Sequence, residues 1–167
     1  MNNSNIIQST NFRIVILSDT HGTIHHQVLN QINETDYVIH SGDILDYQII
    51  DNLEKLSNKV FAVNGNNDQY ENLNLTETIK SSIGDIVVTH GHNNYPNYHE
   101  SLRKEHNNAS VIIYGHTHRH IIDTSSKPYV INPGAAGKVR TQGGSSCVVL
   151  KNLNNNLSLE LLKFEYD

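Results

Sequence analysis

Val111-Ile112-Ile113-Tyr114-Gly115-His116-Thr117-His118 is the stretch from which the rest of the chain can be read. Its apolar start predicts a short buried strand, and Gly115 frees the backbone to turn where that strand ends. Two imidazoles follow at i and i+2. In an extended or tightly turned segment this spacing points both rings to one side, where each has a nitrogen to offer a metal. A His-x-His pair arises often by chance, so its neighbours decide its meaning.

Working back toward the N-terminus, the same arrangement recurs. Asp85-Ile86-Val87-Val88 predicts a strand that ends at Thr89-His90-Gly91-His92, and a polar helix over 97–106 separates it from the next. Val60-Phe61-Ala62-Val63 opens onto Asn64-Gly65-Asn66-Asn67-Asp68, with a looser region after it. Tyr37-Val38-Ile39-His40 runs into Ser41-Gly42-Asp43, and Phe12 to Leu17 runs into Ser18-Asp19-Thr20-His21-Gly22. Helical spacing of Ile24, Val28, Leu29 and Ile32 predicts a helix over 23–33 capped by Thr23. A second, over 44–57, would bury Ile49, Ile50, Leu53 and Leu56. Each strand end delivers a Gly-flanked Asp, Asn or His, and open α/β sheets place their chemistry at carboxyl ends of strands.

Beyond Arg119 the character changes. Ile121-Ile122, Tyr129-Val130-Ile131, Cys147 to Leu150 and Leu157 to Tyr166 are short β runs with no room for helices. The last alternates Leu157, Leu159, Leu161 and then shifts phase to Leu162, Phe164, Tyr166, which predicts a bulge. An α/β half thus leads into a meander, and two packed sheets with helices outside satisfy both.

Composition sets the outer bounds. A chain of 167 residues is most economically one domain. The polar, uncharged stretch 1–11 reads as a flexible tail rather than a leader, leaving 12–167 as the domain. One cysteine, Cys147, has no internal partner, so nothing points to an oxidising compartment and a cytoplasmic location is expected. A net charge of -5 argues against long nucleic acid, and no apolar run is long enough to span a bilayer. Asn152 to Asn156 is read as a turn.

Taken together, Asp19-x-His21, Gly42-Asp43, Gly65-Asn66-x-Asp68, His90-Gly91-His92 and Gly115-His116-x-His118 resemble the calcineurin-like metallophosphoesterase superfamily, in order and in register over residues 14 to 134. The short chain is most similar to the small bacterial and archaeal phosphodiesterase branch. The resemblance implies a four-layer α-β-β-α sandwich with two mixed sheets flanked by helices. It also implies that Asp19, His21, Asp43 and His118 hold one divalent metal and Asp43, Asn66, His90 and His116 the other, Asp43 bridging. Oxygen and nitrogen donors without thiolate suit manganese, iron, nickel or zinc better than copper(I), and manganese is the ion expected, with nickel, iron or zinc as alternatives. The implied reaction is hydrolysis of a small phosphodiester by a bridging hydroxide.

Some positions depart from that pattern. Asn67 stands where many relatives carry His, leaving Asn67 as a substrate contact and His92 as candidate leaving-group acid, beside Asp43 and Asn66 as catalytic residues. Ile131-Asn132-Pro133-Gly134 resembles the superfamily's Asn-Pro-Gly-Ser turn with Ala135 in the Ser position, and is expected to shape the backbone behind the site. Arg119, Lys138 and Arg140 are candidate phosphate contacts, equally explained as surface cations. His25, His26, His99 and His106 are expected on helix surfaces, Asp46 and Asp68 as loop-orienting groups, and Cys147 in the core. Two alternatives stand beside a phosphodiesterase: a metal-binding scaffold for protein partners, like the similar retromer subunit, or a nucleotide hydrolase or nuclease. Homo-oligomerisation stays open.

Overall fold

The computed structural model describes residues 5–137 and 144–165. In chain order the elements are β1 (Phe12–Leu17), α1 (His26–Leu29), β2 (Tyr37–His40), α2 (Gln48–Leu56), β3 (Lys59–Ala62), β4 (Thr76–Ser81), β5 (Gly84–Thr89), α3 (Tyr98–Glu105), β6 (Val111–Ile113), β7 (Ile121–Asp123), β8 (Tyr129–Asn132), β9 (Ser145–Leu153) and β10 (Asn156–Phe164). They form two five-stranded sheets, β10-β9-β1-β2-β3 and β4-β5-β6-β8-β7. In each, three neighbouring strands run parallel and the rest antiparallel: β1, β2, β3 in one sheet and β5, β6, β8 in the other.

β1 lacks alternation because both its faces are covered. Ile14 and Ile16 join Ile39, Ile86, Val88, Ile113 and Ile131 in the core between the sheets, whereas Val15 and Leu17 join Val28, Ile50 and Leu53 beneath α1 and α2. On the far side, Leu102 of α3 packs on Ile112 and Val130. The result is the α-β-β-α layering expected from sequence. Cys147 lies in the layer beneath α1 and α2, where burial pushes its thiol pKa up to about 12.

Several boundaries differ from expectation. α1 is one turn long and is capped by His25 rather than Thr23: the His25 ring accepts the Gln27 N–H, and the His25 N–H is tied to the Ala136 carbonyl. After Leu29 the chain tightens into i→i−3 bonds from Gln31 and Ile32, so the helical spacing continues without an α-helix. α2 starts at Gln48 because the N–H groups of Ile44 and Leu45 are drawn to the Asp68 carboxylate and Leu45 has φ 64°. Leu56 ends up exposed. The looser region contains β4, whose burial is confined to Ile79 and the partly covered Glu77 and Ser81, leaving no apolar run to see.

No bulge interrupts β10, whose pairing with β9 runs in register from Asn156↔Leu153 to Phe164↔Ser145. The phase shift reflects a change of covered face: Leu157, Leu159 and Leu161 pack between the sheets, Leu162 and Phe164 beneath α1 and α2. Asn154 and Asn155 make the turn at φ 51° and 63°, as a tight hairpin requires. Within the stretch read as a tail, Lys80 exchanges backbone hydrogen bonds with Asn5 and Ile7, and Ile7 is buried, so residues 5–7 dock on the edge of β4. Among the described residues no helix is long and apolar enough to cross a membrane.

Candidate functional site

The carboxyl ends of the parallel strands of both sheets meet at one place. Past β1 and β2 the two loops stay in step, with Asp19 N–H on the Gly42 carbonyl and His21 N–H on the Asp43 carbonyl, both at 3.0 Å. A third bond ties the sheets together: the His116 N–H donates to Asp19 Oδ2 at 3.0 Å. Asp19, His21, Asp43, His116 and His118 all have positive φ, between 45° and 67°. Non-glycine residues avoid this region at a cost of order 1 kcal/mol each, so such a cluster persists only where surrounding structure imposes it, and it marks a functional site.

That backbone aims the side chains into two adjoining clusters. Asp19, His21 and His118 have ligand atoms within 4.8 Å of one another, and so do Asp19, Asp43 and His90. In the first, His118 Nε2 lies 3.1 Å from His21 Nε2 and 3.3 Å from Asp19 Oδ1. In the second, His90 Nε2 lies 3.4 Å from Asp43 Oδ1 and 3.9 Å from Asp19 Oδ1. Asp43 reaches both, its other oxygen standing 3.7 Å from His21 Nε2. At the mouth, His116 Nδ1 donates to Asn66 Oδ1 at 3.0 Å, and the His116 ring meets His90 edge-on. The two rings of the His-x-His pair therefore meet different neighbours, His118 lying with Asp19 and His21 and His116 with Asn66 and His90.

Electrostatics tests whether these groups fit a cation. The His90 Nδ1–H donates to the Ser41 carbonyl at 2.8 Å, which leaves Nε2 with a lone pair. That nitrogen and Asp19 Oδ1 are both buried, without a hydrogen-bond partner, and face each other. Burial disfavours charge on His90, yet Asp43 and Asp19 more than reverse this and raise its pKa. The Asp19 carboxylate beside it raises that of His118 as well. Burial also works against the Asp43 charge, and His90 and Asn67 outweigh it, holding the carboxyl well below the usual range. Two carboxylates and three imidazole nitrogens thus converge on space that calls for positive charge, which a divalent ion would supply.

A buried outer layer holds this arrangement. Asp68 accepts from the N–H groups of Ile44, Leu45 and Gly65. The Asn132 side chain donates to the Gly115 carbonyl at 2.7 Å and accepts from Gly134, shaping the backbone behind His116 as its turn motif suggested. Gly115 has no positive φ. Its need is closeness, since a Cβ there would stand 2.0 Å from Ser18 Oγ where the two sheet ends touch.

Not every candidate joins the centre. Asn67 contacts Asp43 through both its backbone N–H and its side-chain amide, at 3.0 and 2.7 Å, so the structure uses it on a carboxylate. His92 lies beside His90 and His116 with Nδ1 buried and unbonded, and burial lowers its pKa. Arg119 is exposed and lines a neighbouring cavity. Lys138 and Arg140 lie outside the described residues. His99 is not a plain surface residue, since its ring bridges Asp123 and the Tyr114 hydroxyl. His25 is likewise half-buried, its ring stacked between His26 and Phe164. Sequence reasoning passed over His40, buried at the end of β2, whose Nδ1 accepts the Gly42 N–H and whose Nε2 meets Thr20 Oγ1 at 3.0 Å. A histidine closing a buried strand just ahead of Ser41-Gly42-Asp43 was the available signal.

The architecture and the paired clusters define a metallophosphoesterase-type protein. Residues 12–155 match the calcineurin-like phosphoesterase superfamily domain, and the chain belongs to that superfamily, whose members bind divalent metals. It is 35% identical over 130 residues to a probable metallophosphoesterase of Methanocaldococcus jannaschii, covering 73% of this chain and 67% of the other. A phosphodiesterase of the same organism is 31% identical over 145 residues, covering 73% and 82%. In fold the chain is similar to zinc-bound Vps29 of Entamoeba histolytica, with TM-score 0.73 and 23% identity over 92% of this chain and 100% of that one.

Proposed function

We propose that the chain is a cytoplasmic, metal-dependent phosphodiesterase that hydrolyses small phosphodiesters with two divalent ions, manganese ahead of nickel, iron and zinc. The observation that carries the reading is the pair of buried, unbonded atoms Asp19 Oδ1 and His90 Nε2, 3.9 Å apart and facing each other. Asp19, His21, Asp43 and His118 would hold one ion, and Asp43, Asn66, His90 and His116 the other. Asp43 suits both because one of its oxygens is turned to His90 and the other to His21. Ions held there supply Lewis acidity toward a phosphoryl oxygen and lower the pKa of water.

The chain's own residues do the positioning. Asn67 fixes the Asp43 carboxylate at both oxygens, and the Ser41 carbonyl fixes the His90 tautomer. His92, kept neutral by burial, is assigned to the leaving-group side as a hydrogen-bonding partner. A diester is favoured over a monoester by the relative named a phosphodiesterase and by Asn67, whose amide is engaged with Asp43. A partner-holding role alone gives no reason for so complete a donor set.

The test is hydrolysis of bis-p-nitrophenyl phosphate beside p-nitrophenyl phosphate, on metal-stripped protein resupplied with manganese, nickel or zinc. Diester turnover restored by an ion and lost in His116→Ala is expected. Folded, metal-loaded protein that cleaves no diester with any of the three overturns the reading.

A further inference from the structure

We propose that the cleft beside His116 binds the nucleobase of a nucleotide diester, the ester group retained when the other departs. The inference rests on the phosphodiesterase reading and names its substrate class. A cavity of about 710 Å³ opens next to the centre, with His116 and Thr117 on the border the two share. A phosphoryl group needs little of that space, and the size falls within the range of small-molecule sites.

The lining is aromatic. Tyr98 stacks on Tyr114 with ring centroids 5.8 Å apart, and Tyr95 stands edge-on to Tyr98 at 6.3 Å. Tyr95 is 78% exposed, a large ring left to water beside a cavity. The wall behind is preformed. The Tyr114 hydroxyl meets His99 Nε2 at 3.2 Å, His99 Nδ1 meets Asp123 at 2.8 Å, and Arg103 holds Asp123 at 3.0 Å. A binding face built this way needs no reordering when a flat ring arrives.

Charge narrows the occupant further. Arg119 and Glu100 both line the cavity and offset each other, so a second phosphate gains no net attraction there. A neutral ring with hydrogen-bonding edges fits better, and Asn97 on the same lining offers a donor and an acceptor to such an edge. Stacking on tyrosine with polar edges satisfied is how proteins hold nucleobases.

Two measurements on the manganese-loaded full chain test this. The first compares kcat/KM for the p-nitrophenyl ester of thymidine 5′-phosphate with that for methyl p-nitrophenyl phosphate, which release the same leaving group. The second, independent of turnover, compares calorimetric affinity for thymidine 5′-phosphate with that for methyl phosphate. The nucleoside compound is expected to win by about tenfold or more in both, through KM in the first, from the usual strength of base stacking. Tyr95→Ala, at an exposed position, should bring both ratios toward parity. Parity in the wild type, or a preference undiminished in Tyr95→Ala, overturns the assignment. Nucleoside-selective binding without turnover of either ester would retain the cleft and sink the hydrolase; turnover of both esters with equal binding would do the reverse.

Discussion

His21 and His118 bring their Nε2 atoms within 3.1 Å of each other, although one follows β1 and the other lies beyond β6 in the opposite sheet. At that distance one ring donates an Nε2 proton to the other, and an ion held by both nitrogens would replace that proton and join the two sheets. Ligand linkage then makes stability depend on metal. Manganese at about a thousand times its dissociation constant contributes about 4 kcal/mol, or about 10 °C in Tm for a chain of this size. Chelation should lower Tm by that order, manganese should restore it, and His118→Ala should abolish most of the shift. A Tm indifferent to chelator would show that no ion bridges these rings.

Asn67, expected to contact substrate, donates to Asp43 from both its backbone N–H and its side-chain amide. Its loss should therefore appear in ion affinity. In Asn67→Ala the manganese titration should weaken by about 10- to 100-fold, the usual scale for a residue that orients a ligand. At saturating metal, KM for the diester should change little. A raised KM with unchanged metal affinity would return Asn67 to the substrate.

Gly65 and Gly115 mark where backbone approaches too closely for any side chain. A Cβ at Gly65 would lie 2.1 Å from Asp43 Oδ1 and 2.3 Å from its backbone nitrogen, and one at Gly115 would meet Ser18 Oγ. Overpacking against backbone costs about 1–3 kcal/mol or more. Gly65→Ala and Gly115→Ala should each lower the urea midpoint, and Gly65→Ala should also displace Asp43 and empty the site of metal. Wild-type midpoints in both would contradict the packing described here.

Much of this was legible in the sequence because the parallel strands are buried on both faces and end at glycine-flanked donors. β1 and β2 fall on the residues predicted for them, and the clusters contain Asp19, His21, Asp43, His90 and His118, all read from motif spacing. What stayed hidden depends on contacts distant in sequence. β4 is an edge strand whose half-polar face shows no period, and α1 is cut short by the tie from His25 to Ala136. The double grip of Asn67 on Asp43 and the His99–Asp123 pair join residues 24 positions apart and arise only once those segments have folded onto each other. The phase shift in β10 was visible and misread, because a bulge and a switch of covered face leave the same mark in sequence.

His40 supplies a pH test distinct from metal binding. It is fully buried, and its Nδ1 accepts the Gly42 N–H, so the ring is neutral with its proton on Nε2 toward Thr20. Burial lowers its pKa to about 4, despite the opposing pull of Asp19 and Asp68. In the unfolded chain an ordinary histidine titrates near about 6.5. Between those values the unfolded state binds the extra proton, so stability is fully present above the higher value and is lost as pH falls toward the lower one. For this residue alone, linkage removes about 2 kcal/mol between about pH 7 and about pH 5. Urea unfolding of chelator-treated protein should show that loss. His40→Asn keeps an acceptor near Gly42 without a titrating group, and should be less stable at neutral pH yet flatter across the same range. Equal slopes in wild type and variant would mean that His40 accepts a proton in the folded protein, and the buried, neutral ring described here would have to be abandoned.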